Sequence, residues 1–169
     1  MRISIMSNSK QKLEQKLGEA LGLEMAAQKA VEELSSKGLL DKRGIKGKVE
    51  GMKKEAGNHQ TELEELIEKL AESENIDSEN IEEVAEETQQ KASKMMQIYL
   101  GEDPDSSEAI EFLCLAEGGE VTHYEILSAI AKDIKNKELS DKVNSILEEE
   151  KNHLQMCIQL GKDMQFQVS

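Results

Sequence analysis

The sequence predicts an all-α bundle, and three observations carry that expectation. Apolar residues recur at helical spacing (i, i+3, i+4, i+7) along five long stretches, the period of an amphipathic helix. The composition is rich in Glu, Lys, Leu and Ala, with one Pro and 2% aromatic residues, so good helix formers dominate and breakers are scarce. Short runs of Gly, Asp, Ser and Asn, and the one Pro, separate the stretches; these are turn residues. A chain of 169 residues is long enough for one domain with a sizeable core. With no Trp, that core is built from Leu, Ile, Val, Ala and Met.

The first helix is expected over about 8–35, with Leu13, Leu17, Ala20, Leu21, Ala27, Val31 and Leu34 as its seam and Glu24 at the seam's centre. Gly38 and Gly44-x-x-Gly47 end the pattern. The second helix, about 45–74, has the seam Val49, Met52, Ala56, Leu63, Leu66, Ile67 and Leu70. His59 sits inside that seam, and Glu55 and Glu62 lie on its flank. A polar segment follows, with Asp77 or Ser78 as the N-cap of the third helix, about 79–100. That helix carries no His and turns its acids outward, so it reads as a connection between two helical hairpins.

Residues 101–107 stop it and cap the fourth helix, about 107–135, whose wide apolar arc is Phe112, Leu113, Ala116, Leu127, Ile130, Ala131 and Ile134. Glu120 and His123 both fall within this arc. Gly118-Gly119 just precede them. Two helix-interior glycines cost roughly 1 kcal/mol each against Ala, which predicts the close approach of a neighbouring helix, with a local helix irregularity as the alternative. The last helix, about 140–164, has Val143, Ile146, Leu147, Leu154, Cys157, Leu160 and Met164 on one face, with Glu150 near its middle and His153 on its edge. The two hairpins, 8–74 and 107–164, look like loosely related halves.

Charge restricts the partners. The formal net charge is -14, which argues against DNA, RNA or an anionic membrane, because phosphate binding needs a basic face. Cys114 and Cys157 each fall on or beside an apolar face and are expected to be reduced core residues. No signal peptide or membrane span is recognisable, and a cytoplasmic protein is expected. There is no Ser–His–Asp order, phosphate-cradling loop or nucleotide fingerprint.

What remains is an acid–histidine constellation. Each of the three histidines has a glutamate three residues away: His59 with Glu62, Glu120 with His123, and Glu150 with His153. Residues at that spacing are neighbours on a helix, and each pair projects toward an apolar face. Glu24 adds a central acid from the first helix. A carboxylate in an apolar seam costs several kcal/mol unless something pairs with it, and a metal ion resolves that cost. Carboxylate and imidazole together suit iron, manganese or zinc, and two ions bridged by carboxylates form the dinuclear site of some helical bundles. The candidate ligands are Glu24, His59, Glu62, Glu120, His123, Glu150 and His153. Iron or manganese is the expected pair, with zinc as a substitute. The rival expectation is a metal-free bundle serving in interaction or assembly, its buried acids paired with Lys or protonated.

The same residues carry a resemblance. His123-Tyr124-Glu125-Ile126 followed by Leu147-Glu148-Glu149-Glu150-Lys151, and His59-Gln60-Thr61-Glu62 followed by Ile67-Glu68-Lys69-Leu70, resemble the matching words of the YciE/YciF-type ferritin-like family. The resemblance spans about 17–160. It implies a ferritin-like four-helix bundle with an additional crossover helix between bundle helices 2 and 3, a dinuclear metal site, a stress-related role and a homodimer; a redox partner, unidentified by the sequence, is expected alongside redox chemistry at such a site. Glu150-x-x-His153 also resembles the ligand pair of rubrerythrins and bacterioferritins. There are departures: Thr122 stands where the family word has an acid before the histidine, and the second helix reads His59-x-x-Glu62 instead of Glu-x-x-His. The family word points to Glu125 as a ligand and the helical wheel to Glu120, and both stand as candidates.

Overall fold

The structure, a computed structural model, describes residues 2–166, with side chains from residue 7 onward. Its elements are α1 Arg2–Ser36, α2 Lys46–Ser73, α3 Ser78–Leu100, α4 Ser106–Ile134 and α5 Lys137–Phe166, with no strand among the described residues. The helix ends follow from local chemistry. Gly38, at φ 71°, turns the chain out of α1, and its N–H donates to the Ser35 carbonyl. Asp77 caps α3 by accepting from the Asn80 N–H, and Asp105 and Glu108 form a reciprocal capping box on α4. Lys135 adopts the left-handed conformation that closes α4. The Asn136 side chain then accepts from the Leu139 N–H at 3.0 Å, so α5 begins three residues before the expected Ser140. Helix α1 also starts earlier than expected, because no Gly or Pro interrupts residues 2–8.

Burial divides into two apolar clusters. One joins the N-terminal halves of α1, α3 and α5 to the C-terminal halves of α2 and α4, through Leu17, Leu63, Ile81, Leu127 and Val143. The other joins the opposite halves, through Leu34, Val49, Met96, Ile110 and Leu160. It follows that α1, α3 and α5 run one way and α2 and α4 the other. Helix α1 packs on α2, α3 and α4, α4 packs along α5, and α2 meets α5 only sparsely. Thus α1, α2, α4 and α5 form a four-helix arrangement, and α3 crosses its length on the outer side of α1.

Glycines make that crossing possible, though not those the sequence pointed to. A Cβ on Gly18 would lie 2.6 Å from Val84 Cβ, and one on Gly22 would overlap the Ala85 carbonyl oxygen. Gly118 and Gly119 allow no close approach: nothing stands within 4 Å of a Cβ at either, and α4 runs through them without interruption. No helix among the described residues is long and apolar enough to cross a membrane. Both cysteines are free, Cys157 buried and Cys114 partly so.

Candidate metal centre

Between the two apolar clusters lies a polar layer. Among the described residues, six polar side chains are buried: Glu24, His59, Glu117, Glu120, Glu150 and His153. Each follows from the stripe that buries its helix. In α2, Met52, Ala56, His59 and Leu63 recur at helical spacing; in α5, Leu147, Glu150, His153 and Cys157 do so; in α4, Leu113, Glu117, Glu120, Tyr124 and Leu127 do so. Every one of the four bundle helices therefore sends at least one acid or imidazole to the same level.

Glu150 is the centre. His59 Nδ1 lies 2.9 Å from Glu150 Oε1, and His153 Nδ1 lies 3.4 Å from Glu150 Oε2. His59 Nδ1 is also 3.2 Å from Glu24 Oε1, and His153 Nδ1 is 3.7 Å from Glu117 Oε2. Two ligand groups result, Glu24–His59–Glu150 and Glu117–Glu150–His153, each with its ligand atoms within 4.8 Å of one another. They share Glu150, and the two imidazole rings are 6.0 Å apart. The far nitrogens point to partly exposed carboxylates: His59 Nε2 is 2.5 Å from Glu149 Oε2, and His153 Nε2 contacts Glu55 Oε2. The hairpins thus repeat one device, Glu55-x-x-x-His59 and Glu149-x-x-x-His153. They break the repeat at one place, since Ala56 stands three residues before His59 where Glu150 precedes His153.

Burial dominates the electrostatics. It raises Glu24 from 4.5 to about 8, and the Glu150 charge adds to the rise. Burial and the Glu150 charge likewise push Glu117 and Glu120 well above the carboxylate range. Burial opposes ionisation of Glu150 too, but hydrogen bonds from His153 and His59 hold it below its ordinary value. Burial disfavours the charged imidazoles, yet hydrogen bonds to Glu150 and Glu24 raise His59 to about 11, and bonds to Glu150 and Glu55 raise His153. Tyr124 Oη donates to Glu24 Oε1 at 2.7 Å. Three carboxylate oxygens, Glu24 Oε2, Glu117 Oε2 and Glu120 Oε1, are buried without a hydrogen-bond partner. Buried polar atoms rarely go unpaired.

Four of the seven residues expected from the sequence meet in the two ligand groups, Glu24, His59, Glu150 and His153, and a fifth, Glu120, is buried in the same layer but in neither group. Glu62 does not join them. It is on the flank of α2, its side chain 40% exposed, with Lys142 Nζ 3.5 Å away; Leu63 takes the inward position. His123 also stays outside, half-buried, with Nε2 3.5 Å from Glu19 and Nδ1 2.8 Å from the Gly119 carbonyl. The inward position beside it belongs to Tyr124. Glu125 is exposed and pairs with Lys151 at 3.2 Å, so of Glu120 and Glu125 only Glu120 faces inward. Glu117 joins the layer without belonging to any acid–histidine pair, although Glu117-x-x-Glu120 repeats the spacing of those pairs. Compared with protein-family models, curated proteins and solved structures, the chain matches none.

Proposed function

We propose that the protein is a ferritin-like, dinuclear non-haem metal protein that holds iron or manganese and acts on dioxygen or peroxide, or handles the metal itself. The observation that carries this is the pair of three-ligand groups sharing Glu150 inside the core. The donor set fits such ions: buried oxygens without partners lie beside imidazole nitrogens, and carboxylate with imidazole is the ligand chemistry of iron and manganese. Charge fits as well. Glu24, Glu117, Glu120 and Glu150 together carry four negative charges when ionised, which two divalent cations balance. The up–down pair, the crossing helix and the second pair agree with a ferritin-like bundle, in which such ligands project inward from four helices.

A bound pair of these ions supplies Lewis-acid and redox chemistry toward dioxygen or peroxide. The chain's own residues prepare the site. Glu149 and Glu55 accept from the outer nitrogens of His59 and His153, which fixes the rings and leaves each Nδ1 turned to its ligand group. Tyr124 holds one oxygen of Glu24 and leaves the other unpartnered. A homodimer and a stress-related role belong to the same proposal and rest on the resemblance; a redox partner belongs to it through the redox chemistry alone. One observation favours the rival, a metal-free assembly module: with both imidazoles protonated, Glu150 is paired on each oxygen.

Metal analysis of untagged protein purified without chelator separates the two. About two equivalents of iron or manganese per chain, lost together with several degrees of thermal stability on chelation, are expected. Protein that takes up neither ion anaerobically would leave the metal-free bundle.

A further inference from the structure

The polar layer has a second neighbour that the metal chemistry does not use. Between α1, α3 and α4 lies a cavity of about 540 Å³, inside the range of small-ligand sites, ~300–1,000 Å³. Small residues make the room: Ala27 and Ala30 on α1, Ala92 on α3, Ala116 and Gly119 on α4. No atom stands within 4 Å of where a Gly119 Cβ would be, so the unexplained helix glycine is spent on open volume. The rim is mostly apolar and bare, with Met95 67%, Ile98 82% and Leu115 58% exposed, and its one lysine, Lys53, is paired with Glu32 at 3.1 Å. The floor is acidic. Glu117 and Glu120 both line it, and Glu120 belongs to neither ligand group. It is 2% exposed, and its Oε1 has no partner.

We propose that this cavity binds a neutral, apolar small molecule, whose single hydrogen-bond donor, a hydroxyl or amine, reaches Glu120 Oε1. The walls set the body of the ligand, and the floor sets its end. An unpartnered carboxyl oxygen takes a donor, and an anionic head would be desolvated beside Glu117 and Glu120, the two acids of the floor, with no cation among the described residues at that end to pair with it. The cavity runs from an exposed rim down to buried Glu120, a depth and an acid that fit a small molecule, whereas a second copy of the chain would cover the rim and leave both unused. The further statement that the bound molecule is the substrate of the metal centre rests on the function proposed above; the binding itself does not.

The probe is N-phenyl-1-naphthylamine, a neutral apolar amine whose emission rises on leaving water, titrated into the full chain with and without manganese. Saturable binding is expected, with displacement by decan-1-ol at about tenfold lower concentration than by decanoate. Gly119→Leu fills the cavity from α4 and removes a helix glycine; it is expected to weaken probe binding about tenfold or more while the protein keeps its manganese and its helical circular dichroism. Ala27→Leu fills the cavity from α1 and gives the same result by an independent route. No saturable binding, binding undiminished in both variants, or displacement by decanoate as readily as by the alcohol would each overturn the proposal. So would a wild-type dimer that excludes the probe and becomes monomeric in Ile98→Asp, which assigns the face to a second copy. Normal probe binding by protein that takes up no metal upholds the cavity and removes the metal centre.

Discussion

At Glu150 one carboxylate meets two imidazoles, His59 on one oxygen and His153 on the other. A buried acid held ionised between two cations is the charge on which both ligand groups depend. Glu150→Gln is therefore expected to abolish binding of both metal equivalents, whereas Glu62→Gln, on the exposed flank with Lys142, leaves the metal content unchanged; equilibrium dialysis with manganese checks both. Tyr124→Phe removes the hydroxyl that donates to Glu24 and is expected to cost about 1–2 kcal/mol in denaturant unfolding, because it leaves a buried carboxylate oxygen with the His59 hydrogen bond alone. Which residues were legible in the sequence follows from one geometric fact, that a helix turns about 100° per residue. Glu24, His59 and Glu150 stand in unambiguous seams and were found. On α4 the apolar arc is wide and takes in half-buried Phe112, Ala116, Ile130 and Ile134 beside buried Leu113, Leu127 and Ala131. There the true stripe of Glu117, Glu120 and Tyr124 is offset by one position from the arc that suggested His123.

The helices themselves follow from periodicity with little loss, because each buries one stripe and α3 and α4 start at side-chain caps, although α2 starts at Ile45 without one. How they pack was less legible. Nothing in the periodicity marks Gly18 and Gly22, yet they are where α3 crosses α1, while the conspicuous Gly118-Gly119 faces open space. Periodicity reports which face of a helix is buried and is silent on which neighbour buries it. Opposite signs are expected at the two places. Gly22→Val drives its Cβ into the Ala85 carbonyl and should destabilise by about 2–3 kcal/mol or more, as overpacking against backbone does. Gly118→Ala meets nothing within 4 Å and should stabilise by up to about 1 kcal/mol through helix propensity. Urea titrations of the two variants, run beside the parent, give both numbers.

Across the whole molecule, a charged layer is held between two apolar clusters, so stability must follow pH. His59, raised from 6.5 to about 11, contributes stability that is complete below 6.5 and is lost as pH rises through about 11. Glu24, raised from 4.5 to about 8, contributes in the same sense, complete below 4.5 and lost as pH rises through about 8. Glu117, Glu120 and His153 shift upward too. Glu150 in the layer and Glu19 outside it, both shifted downward, lose their contribution on acidification below 4.5. The metal-free protein is therefore expected to be most stable at about pH 5 and to melt at falling temperatures up to about pH 9. Metal binding needs the deprotonated ligands, so added manganese should restore more stability the higher the pH within that window. Melting curves across the range, with chelator and with manganese, show whether the two effects run in opposite directions.

The dinuclear arrangement itself is tested most directly by loading the protein with manganese(II) under anaerobic conditions and recording its electron paramagnetic resonance spectrum beside the bound stoichiometry. About two equivalents per chain with the broadened spectrum of a coupled pair, absent from Glu150→Gln, is the expected result. Less than one equivalent, or two equivalents giving only the sharp lines of isolated ions unchanged in Glu150→Gln, would contradict a centre bridged at Glu150.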